Sequence, residues 1–200
     1  MKAHLSKRAI ATSIYAMCMS KPSLIVMSGL PGSGKSTIAE HIAARLKITL
    51  LSVDPIESAT IRAGIARSFE TGLAAYLVAE TLAGEQLKLG NSVIVDAVNA
   101  EEEGKDIWRS LAERYAIELI ILDVFVSDQA LHRERLESRV RGLYGFGEIT
   151  WEQVEARQKT FTRWKEPTLR LDSSRDVEIN VDEAIRYIQA RQSGHAGSSA

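Results

Sequence analysis

Gly29-Leu30-Pro31-Gly32-Ser33-Gly34-Lys35-Ser36-Thr37 satisfies G-x-x-x-x-G-K-[ST] at every fixed position. The flanks agree with it. Ser23-Leu24-Ile25-Val26-Met27 is a short apolar run suited to a buried strand, and Ile38 to Leu46 carries apolar residues at helical spacing. Strand, glycine turn and helix in that order predict a phosphate-binding loop. Glycines let successive backbone N–H groups curl around phosphate oxygens, and the following helix aims its positive end at the same anion. Gly32, Ser33, Gly34, Lys35, Ser36 and Thr37 are therefore expected to hold a nucleoside triphosphate. Lys35 would reach the β- and γ-phosphates, where one close charge pair is worth about 4 kcal/mol at an effective dielectric near 20. The Ser36 hydroxyl is placed to ligate Mg²⁺.

The remaining bulk properties narrow the field. A chain of 200 residues suits a single domain with a sizeable core. A formal net charge of −1 provides no broad basic surface for nucleic acid. Cys18 is the only cysteine, which excludes a disulfide framework and a cysteine zinc site. No run approaches a transmembrane helix in length, so a cytoplasmic protein without membrane attachment is expected. Lys2, Lys7 and Arg8 ahead of Ala9 to Met19 imitate a signal peptide, but Thr12, Ser13 and Tyr15 dilute the apolar stretch. The reading divides the chain into an extension over 1–21 (flexible, or a mis-assigned start), a domain over 22–192, and a disordered tail over 193–200 in which His195 is solvated.

Strand and helix patterns alternate through the domain. Strands are expected at Ile48 to Val53, ending at Asp54-Pro55, at Ser92 to Val95, ending at Asp96, at Ile117 to Val126, and at Val177 to Val181. Helices are expected over 56–66, Gly72 to Leu89, after a cap at Asn99, after Ser127-Asp128 through His132 to Arg141, after a capping box Thr150-x-x-Gln153, and from Asp182 to Gln192. Trp151, Val154, Phe161 and Trp164 would share one helix face, and Gly142 to Gly147 would be a glycine-punctuated loop. The fold class is α/β: a three-layer α/β/α sandwich with a five-stranded parallel sheet and a helical lid.

Asn-Lys-x-Asp and Leu-Ser-Gly-Gly-Gln motifs are absent, which sets aside GTPase and transporter readings. With its phosphate-binding loop, Asp54 nineteen residues after Lys35, a strand ending in Asp96, and an arginine-rich helix before a lid, the chain resembles P-loop kinases of the nucleoside-monophosphate-kinase-like group. It is similar to the bacterial "predicted kinase" or AAA-family ATPase type that includes chloramphenicol phosphotransferase, zeta toxins and polynucleotide kinase domains. The resemblance implies that Asp54 is the base for the acceptor hydroxyl, that Arg135 packs on adenine, and that Arg139 reaches the phosphates; Arg133 and Arg141 are weaker candidates for the last role. An aspartate beyond a strand end is well placed for such a role, although Asp54-Pro55 also suits a helix start. Asp96 would hold Mg²⁺ through water or contact the acceptor. Asp123, inside a strand, reads as structural, and His132 as a surface residue.

The acceptor pocket would lie under residues 55–80, with Arg62, Tyr76 and Asn99 as its candidates. Polynucleotide kinases of this group place an arginine three residues after the catalytic aspartate; here Glu57 stands there. A carboxylate repels a phosphorylated acceptor, which favours a neutral or cationic small molecule. The expected activity is ATP- and Mg²⁺-dependent phosphoryl transfer to the hydroxyl of a small molecule. A 5′-hydroxyl polynucleotide kinase and a non-catalytic ATP-binding switch are the alternatives.

Overall fold

The computed structural model describes residues 21–140 and 142–194. The expectations for residues 1–20, with Cys18, for Arg141, and for 195–200, with His195, lie outside the described residues. Strand β1 (Ser23–Ser28) is central in a five-stranded sheet of order β2-β3-β1-β4-β5. Its companions β2 (Thr49–Ser52), β3 (Val93–Asp96), β4 (Glu118–Phe125) and β5 (Thr168–Asp172) all run parallel to it. The helices of the described residues are α1 (Lys35–Leu46), α2 (Val53–Arg62), α3 (Phe69–Lys88), α4 (Glu102–Tyr115), α5 (Gln129–Ser138), α6 (Trp151–Thr160) and α7 (Val177–Gly194).

Alternation along β1 builds the three layers. Leu24 and Val26 face a core made by Ala75, Ala79 and Ala83 of α3 with Trp108 and Leu111 of α4. Ile25 and Met27 face the opposite core, made by Ile38 and Ile42 of α1 with Val181, Ala184 and Ile188 of α7. A strand buried on both faces must be apolar throughout, which is why Leu24-Ile25-Val26-Met27 reads as an unbroken run. Small alanines on α3 let its backbone approach the sheet, while the broad Trp108 ring fills the space beside them. Because every strand is parallel, all strand C-termini emerge along one edge, where ligands of open α/β sheets bind.

The last strand expected from the sequence is a helix instead. Val177-Glu178-Ile179-Asn180-Val181 alternates like a strand, but Val181, Ala184 and Ile188 continue the pattern at helical spacing into the core. Asp176 starts that helix: its Oδ1 accepts from the backbone N–H of Glu178 at 2.8 Å and of Ile179 at 3.4 Å. The fifth strand is Thr168-Leu169-Arg170-Leu171-Asp172, whose Leu171 is buried against β4. Other boundaries also move. Val53 and Asp54 belong to the first turn of α2, capped by backbone at Ser52, and α5 stops at Ser138, leaving Arg139 in extended backbone.

Between α6 and β5 the chain is tied to α4 by charge. Lys105, fully buried, donates to Glu102 at 3.1 Å and to the Thr162 carbonyl at 2.7 Å, and Arg109 pairs with both Glu102 and Glu166. Trp164 packs on the core beneath this network, away from Trp151 and Val154, which form a separate lid cluster with Leu136. The single shared face expected for these aromatics is therefore split, because α6 ends at Thr160.

These hydrogen bonds predict acid sensitivity. Donors from Lys105 and Arg109 pull the Glu102 carboxyl down to about 2 from 4.5. Burial pushes Asp172 up, but hydrogen bonds from Ser127 and Ser174 outweigh it and hold its carboxyl at about 2, against 3.8. Both pKa values are depressed in the folded state, so the stabilisation is fully present above about pH 4.5 and disappears as pH falls toward about 2. Glu102→Gln and Asp172→Asn should each flatten the decline of Tm between those limits. An unchanged Tm-against-pH curve in both variants contradicts the assignment. Among the described residues, no helix is long and apolar enough to cross a membrane.

Candidate active site

The loop after β1 wraps the N-terminus of α1 because two glycines permit it. Gly29 has φ 144°, and a Cβ there would lie 2.3 Å from the Val124 carbonyl oxygen. Gly34 takes the N-cap of α1 in the left-handed conformation at φ 82°, turning the following amides into the loop. Lys35 opens α1 and is 6% exposed. Under the loop, His132 is buried rather than on the surface as the sequence suggested: its Nε2 lies 2.8 Å from the Pro31 carbonyl and its ring meets Trp151 edge-on at 5.2 Å. His132 is covered because the phosphate loop lies across it and Leu136 at Gly32.

Two cavities meet at Lys35 of this loop. The larger, about 520 Å³, is walled by Gly32, Gly34, Lys35, Ser36 and Thr37 on one side and by Arg135, Ser173, Arg175 and Asn180 on the other. That volume lies in the usual range for a small-molecule or cofactor pocket. Arg135 is held over it by hydrogen bonds from Nη1 to the Ser173 carbonyl at 3.1 Å and hydroxyl at 3.0 Å. Ser173, Arg175 and Asn180 were not anticipated, because the strand expected at 177–181 hid both the loop of Ser173 and Arg175 and the first turn of α7 with Asn180. The usable signal was Asp172-Ser173-Ser174, a cluster of turn formers after an alternating run.

The smaller cavity, about 90 Å³, lies on the other side of Lys35 and Arg139, which line both. Asp54, Glu57, Arg67, Phe146 and Arg157 also line it. Asp54 reaches it from the first turn of α2, where a carboxylate also complements the helix dipole. Phe146 comes from the glycine-punctuated lid, which is seated on α2: Ser58 donates to the Tyr144 carbonyl at 3.0 Å, and Gly145 lies against Ile61.

The structure distributes the remaining candidates unevenly. Asp96 ends β3 beside Ser52 of β2 and Met27 of β1, is 6% exposed, and has a buried Oδ1 with no hydrogen-bond partner among the described residues. Asn99 neither caps α4, whose N-cap is Glu101, nor reaches either cavity. It is buried at φ 52°, with Nδ2 donating to the Met27 carbonyl at 2.7 Å and Oδ1 accepting from Trp108 at 2.8 Å. Both ends of its amide are thus committed to the fold. Tyr76 lines neither cavity and packs against Trp108; burial, opposed by the hydrogen bond from the Asn99 backbone N–H, pushes its hydroxyl up to about 12. Arg62 is exposed at the end of α2 and lines neither cavity. Arg133 pairs with Glu137 at 2.7 Å on the solvated face of α5, and Asp123 pairs with Arg170.

Glu57 differs most from its expectation. It is buried, accepts from the Thr71 hydroxyl at 3.3 Å, and faces Nε of Arg67 at 3.7 Å. The Arg67 guanidinium lies over the Phe146 ring, 4.3 Å from its centroid. The carboxylate that the sequence presented as a bare negative charge has a cation standing against it.

The donor set fits Mg²⁺ of the kind a nucleotide carries. Among the described residues, no group of three His, Cys, Asp or Glu side chains is arranged to hold a metal. Mg²⁺ at phosphoryl-transfer sites needs only one or two protein ligands besides phosphate and water. Ser36 at the cavity wall and the orphaned Asp96 Oδ1 meet that requirement.

The chain belongs to the AAA domain family whose model matches residues 24–164. No curated protein matches its sequence significantly. Among solved structures, a Chloroflexus aurantiacus protein with a kinase assignment superposes with a TM-score of 0.68 at 21% identity, covering 86% of this chain and 99% of that one. A gluconokinase from Sinorhizobium meliloti is similar with a TM-score of 0.64 at 19% identity, covering 90% and 99%. The Mycobacterium tuberculosis APS kinase in complex with AMPPNP and APS is similar with a TM-score of 0.62 at 19% identity, covering 85% and 99%. The architecture is that of P-loop kinases.

Proposed function

We propose that this protein is an ATP-dependent kinase that transfers the γ-phosphoryl group to a hydroxyl of a small molecule. The observation that carries the reading is the division of the site: Lys35 and Arg139 line both cavities, whereas Asp54 lines only the smaller one. A triphosphate lying along the phosphate loop in the larger cavity would bring its terminal phosphorus to that shared boundary. An acceptor in the smaller cavity would meet it from the far side, in line, with its hydroxyl beside Asp54. Kinase assignments among the structural relatives agree with this reading.

In the step itself the acceptor oxygen bonds to the γ-phosphorus while the bond from that phosphorus to the β–γ bridging oxygen breaks. The hydroxyl proton passes to the Asp54 carboxylate, and the bridging oxygen leaves with ADP. Lys35 and Arg139 neutralise charge that spreads over the transferring group. Mg²⁺ held by Ser36 and, through water, Asp96 would add positive charge at the β- and γ-oxygens. Arg135, fixed by Ser173, would cover the nucleotide. The lid loop carrying Phe146 would exclude water and so limit ATP hydrolysis.

The test is label transfer from γ-labelled ATP into a cell metabolite extract, with a 5′-hydroxyl oligonucleotide pool in parallel. Label in a small molecule supports the reading. Label in the oligonucleotide alone replaces it with polynucleotide phosphorylation, and tight ATP binding without any labelled product replaces it with a nucleotide-dependent switch.

A further inference from the structure

Four cations, Lys35, Arg67, Arg139 and Arg157, line the smaller cavity against two carboxylates, Asp54 and Glu57. Some arginines elsewhere on the chain hold carboxylates: Arg109 has Glu166, Arg114 has Glu80, Arg170 has Asp123 and Arg175 has Glu183. At the smaller cavity, among the described residues, Arg139 and Arg157 have no carboxylate partner, and Arg67 touches Glu57 only through Nε. The fork of Arg67 therefore keeps its terminal nitrogens for a ligand, while Glu57 below and Phe146 on one face fix the plane of the group. Arg67 and Arg157 come from separate parts of the chain, the α2–α3 connection and α6, and converge on one small space. A cavity of about 90 Å³ is several times the space one water needs, enough for an acidic headgroup.

We propose that the acceptor is a hydroxyl compound that also bears an anionic group, a carboxylate, sulfate or phosphate, bound by Arg67 and Arg157 while Asp54 receives the hydroxyl proton. This deepens the kinase reading and rests on it. Glu57 is then a positioning residue for Arg67, not a barrier to negatively charged acceptors. Arginines suit the task because their planar forks engage two oxygens of such a group at once. Arg139 contributes charge but belongs to the phosphoryl group in transit, so discrimination between acceptors falls to Arg67 and Arg157.

Two measurements separate this proposal from the reading beneath it. The first titrates inorganic sulfate into the full-length protein already saturated with Mg²⁺ and a non-hydrolysable ATP analogue, so that the phosphate loop is filled. Saturable binding is expected, weakened about 10–100-fold in Arg67→Gln and in Arg157→Gln, with affinity for the analogue unchanged, as befits loss of a charged hydrogen bond. The second splits the metabolite extract on an anion-exchange column before the labelling reaction, and label should enter compounds from the retained, acidic fraction. With that fraction KM should rise about 10–100-fold in both variants while kcat changes little. Label arising only from the unretained fraction overturns the anionic acceptor and leaves the kinase intact. Variant-sensitive sulfate binding without any labelling supports the anion site and removes the kinase. Sulfate binding that is absent, or equal in wild type and both variants, overturns the proposal.

Discussion

Arg139→Ala should lower the rate of phosphoryl transfer by about 10³-fold or more, the scale associated with arginines that meet the transition-state charge. ATP affinity should change far less. The expectation rests on position. Arg139 follows the last turn of α5 in extended backbone, is half-buried, and lines both cavities together with Lys35. Arg135, one helical turn earlier, is committed to Ser173 on the nucleotide side, whereas Arg133 is committed to Glu137 in solvent. Of these three arginines only Arg139 lines both cavities, where charge would accumulate under the proposed transfer. Single-turnover transfer from γ-labelled ATP, set beside equilibrium binding of a fluorescent analogue, reads the two effects separately. Arg139→Lys should recover part of the rate, because charge returns without the planar fork. A transfer rate within tenfold of wild type in Arg139→Ala would remove the residue from the mechanism.

The exit of the chain from a helix at Ser138 was the less legible part of that placement. The arginine spacing in Arg135-Leu136-Glu137-Ser138-Arg139 was plain in the sequence, but the change of backbone conformation between its ends was not. The phosphate loop, by contrast, was legible, since G-x-x-x-x-G-K-S between an apolar run and a helical pattern leaves few other folds for that stretch, and Gly34 takes the left-handed conformation such a turn requires. Local pattern failed where two periods overlapped: Val177 to Val181 satisfies a strand and a helix equally well, and only its continuation to Ile188 decides. The acceptor side was hidden for a different reason. Glu57 and Arg67 are ten residues apart, with a helix end and a turn between them, and Arg157 comes from the far side of the lid. Their meeting depends on tertiary packing, and no spacing rule encodes it. The same holds for Asn99, where a buried polar side chain at a strand end is as consistent with a structural clamp on Met27 and Trp108 as with a ligand.

Asp54→Asn should reduce transfer by about 10²–10⁴-fold, the range for removing a positioned general base, and leave ATP binding unchanged. Two physical roles compete at this residue, and the substitution separates them. As an acidic residue in the first turn of α2, Asp54 interacts favourably with the helix dipole, worth about 0.3–1 kcal/mol. Losing that term alone would lower Tm by a few degrees and alter catalysis little. As a wall of the smaller cavity, it stands opposite the boundary formed by Lys35 and Arg139, where an acceptor hydroxyl would lie. Losing that role would slow transfer with little effect on Tm, because asparagine keeps the size and can still turn an oxygen toward the helix N-terminus. The deficit should appear in kcat rather than in KM, since an amide can still hydrogen-bond the acceptor but cannot take its proton. Thermal unfolding and single-turnover transfer, measured on the same variant, therefore give opposite patterns for the two roles. Transfer that stays within a few-fold of wild type while Tm falls would make Asp54 a helix-start residue and return the search for the base to Asp96, which ends β3 at the same edge of the sheet.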